Sequence, residues 1–363
     1  MKTETTPHQV ITRIDQVTTA WLTYVLAGSG ALINGAVAAF DMNPGRGNWS
    51  TNATLNVQYE DGSLGALPQR LFLKLVNTNS GEESFGPSEV TYYRRDYAGV
   101  EDVPLVRCYD AEFSGEFQRY HLLLDDLSET HVEAGEKTPG LEYGLALAEG
   151  LAAMHAYWWG ARRFTQVGAS MHTASFIRRY IDIAESGVGQ ILNRFATELK
   201  PHWPDAIQAL YAKHPHAILT RNQDENGFTL IHGDVNPQNI LVPRHGDRPI
   251  YIIDRQPFDW SLTTWLGVFD LAYAMVLDWD VVTRRQLEMP ILRHYHDQLI
   301  QKGVNGYAWE HLYADYRLCV PMCVYVATEY FRGDLNSPWL SVWLDLLRKS
   351  LTACDDLKCS ELW

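Results

Sequence analysis

With 363 residues, 46% of them hydrophobic and 20% charged, the chain has the composition of a folded globular protein long enough to build two lobes around a sizeable core. Thirty Lys and Arg against 44 Asp and Glu leave a net charge of −14, which argues against nucleic acid or an anionic membrane as a main partner. No run reaches the length of a transmembrane helix, residues 1–9 lack the apolar core of a signal peptide, and the five cysteines include no CxxC pair, so a reducing cytoplasm is the expected compartment.

Residues 11–26 carry Trp21, Leu22 and Val25 at helical spacing and predict a leading helix. Apolar runs at 33–40, 53–59 and 71–76 predict three strands. The stretch 41–52 between the first two is rich in turn formers and includes Gly45 and Gly47, a Gly-x-Gly without a third glycine. An ordinary hairpin turn and a phosphate-covering loop look the same at this level. Asp61-Gly62-Ser63-Leu64-Gly65 reads as a second hairpin turn. In the third run a single lysine, Lys74, interrupts apolar residues. A buried ammonium is costly unless paired, so Lys74 either reaches solvent from an edge strand or has a partner.

A helix is expected over 88–95, with Glu89, Tyr92 and Tyr93 facing the sheet. Strands at 105–108 and 120–124 follow, the second ending in Asp125-Asp126-Leu127, and 128–139 is polar and loop-like. The remainder reads as largely helical, at 140–159, 173–197 and 204–219 before residue 228 and from 282 onward. His155, on the apolar stripe of the first of these, reads as a core or boundary histidine.

The chemistry concentrates in residues 228–254. A short apolar run leads to His232-Gly233-Asp234, Asn239 comes five residues after the aspartate, and the apolar run 250–253 ends on Asp254. An acid, an amide and a second acid spaced in this way can form a metal-dependent phosphoryl-transfer centre. Asp234 would serve as base or orienting group for an acceptor hydroxyl, and Asn239 with Asp254 would supply oxygen ligands for Mg²⁺ bridging ATP phosphates. The bland alternative is a buried strand with a polar turn.

This arrangement resembles the aminoglycoside phosphotransferase and choline kinase group of the protein-kinase-like fold, and within it the ecdysteroid-kinase-like branch. The His-Gly-Asp form, with no Asp-Phe-Gly and no Ala-Pro-Glu, sets it apart from protein kinases. The resemblance implies an α+β two-lobe fold, an N-lobe antiparallel sheet with helices over residues 1–127 and a mostly helical C-lobe over 128–363. It further implies that Lys74, held by Glu89, binds the ATP phosphates and that Gly47, Asn48 and Ser50 lie in the nucleotide-covering loop. Adenine would meet the main chain of a hinge at Asp125 and Leu127. His232 would brace the loop, as would Asp270. Arg255 stands where close relatives usually carry an aromatic residue, and its contact is either with phosphate or substrate or with solvent.

Aromatic residues crowd the C-terminal third, with Asp278, Asp280 and Glu329 nearby in sequence. With Tyr325 they are candidates for holding an amine-bearing or apolar alcohol, although each aromatic is also an ordinary core residue. The expectation is therefore a small-molecule kinase using ATP and Mg²⁺. The alternative is a catalytically inactive kinase-like binding protein.

Overall fold

The computed structural model describes residues 9–47, 50–80, 83–84, 86–161, 163–256 and 258–363. Helix α1 (Thr19–Gly28) begins later than residue 11, because the Thr18 hydroxyl accepts the Trp21 N–H and fixes the first turn there. Next come β1 (Leu32–Asn34), β2 (Val37–Arg46), β3 (Ser50–Tyr59), β4 (Leu64–Gly65) and β5 (Arg70–Asn77). The turn-rich stretch 41–52 is mostly strand. β2 and β3 stay paired from Val37↔Tyr59 to Arg46↔Thr51, and the chain reverses just beyond Gly47, whose N–H donates to the Ser50 carbonyl. Pro44 is tolerated because β2 is an edge strand.

After the short ribbon β6 (Asn79–Ser80) and β7 (Glu83–Ser84) comes α2 (Ser88–Thr91), which widens into a π turn over Tyr92–Asp96. The strand expected at 105–108 instead starts at its end, as β8 (Cys108–Ser114). There Tyr109 and Ala111 turn inward while Asp110 and Glu112 alternate with them. β9 (Arg119–Asp125) completes an antiparallel five-stranded sheet in the order β2-β3-β5-β9-β8.

Period-two alternation gives this sheet two apolar faces. Leu71, Leu73 and Leu75 of β5 pack with Trp21, Leu22 and Leu26 of α1 on one side. On the other, Val76 packs with Val90, Tyr120, Leu122 and Leu124. Lys74 has the parity of Val76 and therefore points to this second face.

The helical part begins after β10 (His131–Glu133), with α3 (Leu141–Tyr157). The helix expected over 173–197 divides into α4 (Ala174–Glu185) and α5 (Val188–Arg194) at Gly187. A Cβ there would stand 2.0 Å from the Thr328 carbonyl oxygen, so only glycine permits this approach. α6 (Trp203–Arg221) leads to β11 (Phe228–Leu230), and the loop after it to the hairpin β12 (Ile240–Pro243) and β13 (Tyr251–Ile252). β14 (Thr264–Leu266) pairs with β11, and α7 (Val268–Ala272) continues as a π turn over Tyr273–Asp278. α8 (Val281–Gln301), α9 (Trp309–Glu329) and α10 (Leu340–Asp356) close the chain around one large apolar core. Cys319 and Cys323 are buried there as free thiols.

Candidate active site

The hairpin β12–β13 explains why an amide and an acid fifteen residues apart in sequence meet in space. Ile240 pairs with Ile252, so Asn239 just before one strand lies beside the residues just after the other, and the Ile253 N–H donates to the Asn239 carbonyl at 2.9 Å. The turn entering β12 is an Asx turn, in which Asn236 Oδ1 accepts the N–H groups of Gln238 and Asn239. Gly233 has φ +81, a conformation that costs glycine little, and a Cβ there would lie 3.2 Å from the Leu262 carbonyl oxygen.

Three donors hold the Asp234 carboxylate. The Tyr273 hydroxyl and Asn236 Nδ2 donate to Oδ1 at 2.8 and 3.0 Å, and Asn239 Nδ2 donates to Oδ2 at 3.0 Å. Burial raises the Asp234 pKa above the ordinary carboxylate value, with the Asn236 hydrogen bond opposing it and the Asp254 charge adding to it. The Asn239 amide nitrogen also meets the Asp234 and Asp254 carbonyl oxygens, at 2.9 and 3.4 Å. Its Oδ1 is thereby the atom left to bind a metal.

His232 is fully buried, donating from Nε2 to the Ile253 carbonyl while Nδ1 accepts the Asp234 N–H, which assigns the neutral tautomer. Burial pulls its pKa down. Asp270 accepts the backbone N–H of His232 at 2.7 Å and of Gly233 at 2.9 Å, and His155 Nε2 donates to it at 3.1 Å. The imidazole of His155 is oriented in turn by the Tyr295 hydroxyl.

Lys74 is buried and paired, not on an edge strand. Its ammonium sits 2.9 Å from Glu89 Oε2 and also contacts Asp254 Oδ1, while Glu89 accepts from the Tyr120 hydroxyl. Burial works against the ammonium, but the carboxylates of Glu89 and Asp254 outweigh it and hold the Lys74 pKa above the ordinary lysine value. Asp254 itself is in the left-handed region at φ +59, a strain of about 1–3 kcal/mol that persists only where neighbouring contacts over-determine it. Its side chain is 45% exposed.

Of the other nucleotide candidates, Gly47 and Ser50 flank the β2–β3 reversal, and Asn48 lies outside the described residues. Nearby, Asn52 Oδ1 is buried with no hydrogen-bond partner among the described residues, opposite Lys74 in the sheet. At the segment expected to form a hinge, the Asp125 N–H donates to the Arg107 carbonyl and its carboxylate accepts from Tyr109, while the Leu127 carbonyl accepts from Thr130 and His131. These groups are already committed within the protein.

A cavity of about 100 Å³ opens beside Asp234, walled by Tyr180, Phe258, Trp260, Tyr273, Tyr325 and Tyr330, with Glu329 at its edge. Two of the four candidates for holding an acceptor, Tyr325 and Glu329, are therefore brought beside Asp234. The Tyr325 hydroxyl is committed to His214, and Glu329 is ion-paired with Arg332 at 2.5 Å. Asp280 is an exposed N-cap of α8, and Asp278 is outside the cavity wall, its burial raising its pKa well above the ordinary value. Tyr307, Tyr316 and Phe331 are core residues. Sequence reasoning passed over Tyr273, although it lies three residues after Asp270 and therefore on the same side of one helical turn.

Arg255 contacts neither the solvent nor the cleft. It is 5% exposed and ion-paired with Asp96 at 2.7 Å.

Among the described residues no three His, Cys, Asp or Glu side chains cluster as a metal site, and no helix is long and apolar enough to cross a membrane. The oxygen pair of Asn239 and Asp254 nevertheless fits magnesium, which takes one or two protein ligands and completes its shell with phosphate and water oxygens.

No curated protein matches the chain in sequence. Solved structures share its fold at low identity. A candidate aminoglycoside phosphotransferase from Ralstonia eutropha JMP134 is 13% identical with a TM-score of 0.58, over 94% of this chain and 98% of that one. The ethanolamine kinase of Plasmodium vivax is 12% identical with a TM-score of 0.53, over 92% and 88%. A point mutant of an aminoglycoside 2'-phosphotransferase-IIIa, in its GDP complex, is 14% identical with a TM-score of 0.52, over 93% and 99%. The fold is thus the two-lobe protein-kinase-like fold, mixed α/β with antiparallel sheets. The model of the ecdysteroid kinase-like family matches residues 91–304, more than half of the chain, from the end of α2 through the loop of Asp234 and α8, and the chain belongs to that family.

Proposed function

We propose that the protein is a small-molecule kinase that transfers the γ-phosphoryl group of ATP to a hydroxyl of an alcohol acceptor. The observation that carries this reading is the convergence of Asp234, Asn239, Asp254 and the Lys74–Glu89 pair on one cleft beside an aromatic cavity. Tyr273, Asn236 and Asn239 aim the Asp234 carboxylate at the acceptor, and it takes the hydroxyl proton as the oxygen bonds to the γ-phosphorus and the bond to the departing ADP oxygen breaks. Lys74, kept in place by Glu89, orients the phosphates. Asn239 Oδ1 and the Asp254 carboxylate would hold Mg²⁺, which when bound neutralises charge on the β- and γ-phosphates. The rings around the cavity would pack on an apolar or amine-bearing skeleton.

The test is ADP release with Mg²⁺ and ATP across pooled aminoglycosides, amino alcohols, sugars, nucleosides and sterols. Acceptor-dependent release establishes the kinase. Silence together with no nucleotide binding points to the catalytically inactive binding protein.

Asp254→Ala removes the one carboxylate assigned to the metal. Calorimetry should find Mg²⁺-dependent nucleotide affinity reduced by more than the roughly 10–100-fold that loss of an outer-shell partner costs. Unchanged Mg·ATP affinity would remove Asp254 from the metal site.

A further inference from the structure

Asp254 and Arg255 are consecutive residues whose side chains run in opposite directions. Asp254 reaches Lys74, whereas Arg255 pairs with Asp96 and lays its guanidinium over the Tyr92 ring, 5.1 Å from the centroid. Tyr92 in turn stands edge-on to His232, with ring centroids 6.1 Å apart. Glu89 and Asp96 belong to one helical segment, α2 and its π turn. That segment is therefore tied twice to the same two residues, Glu89 through the Lys74 ammonium to Asp254, and Asp96 directly to Arg255.

Both partners of the second tie are buried, Asp96 at 1% and Arg255 at 5% exposure, and Arg255 Nε has no hydrogen-bond partner among the described residues. Charge and ring stacking, not a full set of hydrogen bonds, hold the guanidinium. Asp96 also meets Arg95 at 2.8 Å, but the Arg95 side chain is 46% exposed, so Arg255 is the buried partner. The main chain around Arg255 is held by the Gln256 N–H on the His232 carbonyl and by His232 Nε2 on the Ile253 carbonyl.

We propose that Arg255 is a positioning residue: its buried pair with Asp96 holds the Glu89 segment at the distance that keeps Lys74 shared between Glu89 and Asp254. The proposal rests on the kinase reading and adds to it. Glu89 and Asp254 compete for one ammonium. When the segment drifts away, Lys74 remains on Asp254 alone, and that carboxylate is withheld from a cation. The consequence is specific to metal-dependent nucleotide binding.

Arg255→Met alone leaves Asp96 buried without its partner and risks unfolding, so the decisive variant pairs Arg255→Met with Asp96→Leu, an apolar replacement of the kind that buried ion pairs commonly tolerate. The probe is an ATP analogue with a nonhydrolysable β–γ linkage, titrated by calorimetry with Mg²⁺ and with EDTA. The double variant should melt within a few degrees of wild type and lose about tenfold in Mg²⁺-dependent affinity, with much less change in EDTA. Adding Glu89→Gln to it should cost less than Glu89→Gln costs in wild type, since the two act through one element. A folded double variant with wild-type Mg²⁺-dependent affinity, or with equal losses in both buffers, overturns the proposal. If wild type itself binds no Mg·nucleotide, the kinase reading falls first.

Discussion

Asp234→Asn should lower acceptor phosphorylation by roughly 10²–10⁴-fold, the usual worth of a positioned acid–base group, while leaving nucleotide binding and the melting temperature close to wild type. The asparagine keeps Oδ1 as acceptor for the Tyr273 hydroxyl and Asn236, gives up the Oδ2 contact to Asn239, and leaves Asn239 on the main-chain carbonyl of residue 234, so most of the loop's frame is retained while the proton acceptor is lost. The pH dependence follows from the same surroundings. Burial raises the Asp234 pKa, so the working carboxylate is present only above a pH higher than that of an ordinary aspartate, and the acid limb of kcat/KM should lie correspondingly high. Tyr273→Phe should move that limb further up by removing a donor to the charged form. Near-normal turnover in Asp234→Asn would dismiss the aspartate as base.

Asp270→Ala should be the most destabilising single change at the site, by about 3–5 kcal/mol in urea unfolding, the range for breaking one side of a buried charged network. Asp270 is completely buried and satisfies three donors, the backbone N–H groups of His232 and Gly233 and the His155 imidazole. Alanine leaves all three unpaired. Although burial alone would raise its pKa, these donors outweigh it and hold the Asp270 carboxyl below the ordinary value. A depressed carboxyl stabilises the fold at pH values above its unfolded pKa of about 3.9 and loses that contribution as pH falls through the lower native value. The wild-type and Asp270→Ala stabilities should therefore converge on acidification below about pH 4. A gap that stays constant down to pH 2 would mean that Asp270 acts by packing and not by charge.

Much of this molecule is legible from local pattern. The spacing of Asp234, Asn239 and Asp254 around two short apolar runs is a property of one β-hairpin, and hairpin register is a short-range matter. Lys74 inside an apolar strand left two readings, solvent at an edge or a buried partner, because an unpaired buried ammonium is prohibitively costly, and its place in the central strand β5 decides for the partner. Helix existence followed equally well from periodicity; the large shifts came from the cap at Thr18 and the close approach at Gly187, while the ends of α3 and α6 moved by one or two residues. The 41–52 stretch was misjudged because polar turn formers also suit the solvated arm of an edge hairpin, and pairing over the whole length of β2 and β3 outweighs local turn preference.

What the chain determined by itself is the hairpin that groups Asp234, Asn239 and Asp254 and the order of sheet and helices, since these rest on residues close in sequence, whereas the pairing of Lys74 with Glu89 was implied by the family resemblance. Tertiary structure alone decided that Arg255 meets Asp96, 159 positions away, that Tyr273 rather than Asp278 or Asp280 meets the Asp234 carboxylate, and that the Tyr325 hydroxyl is committed to His214. The reason is one of range. A side chain's partner across the core depends on how helices distant in sequence pack, and spacing along a single helix carries no record of which neighbour it will meet.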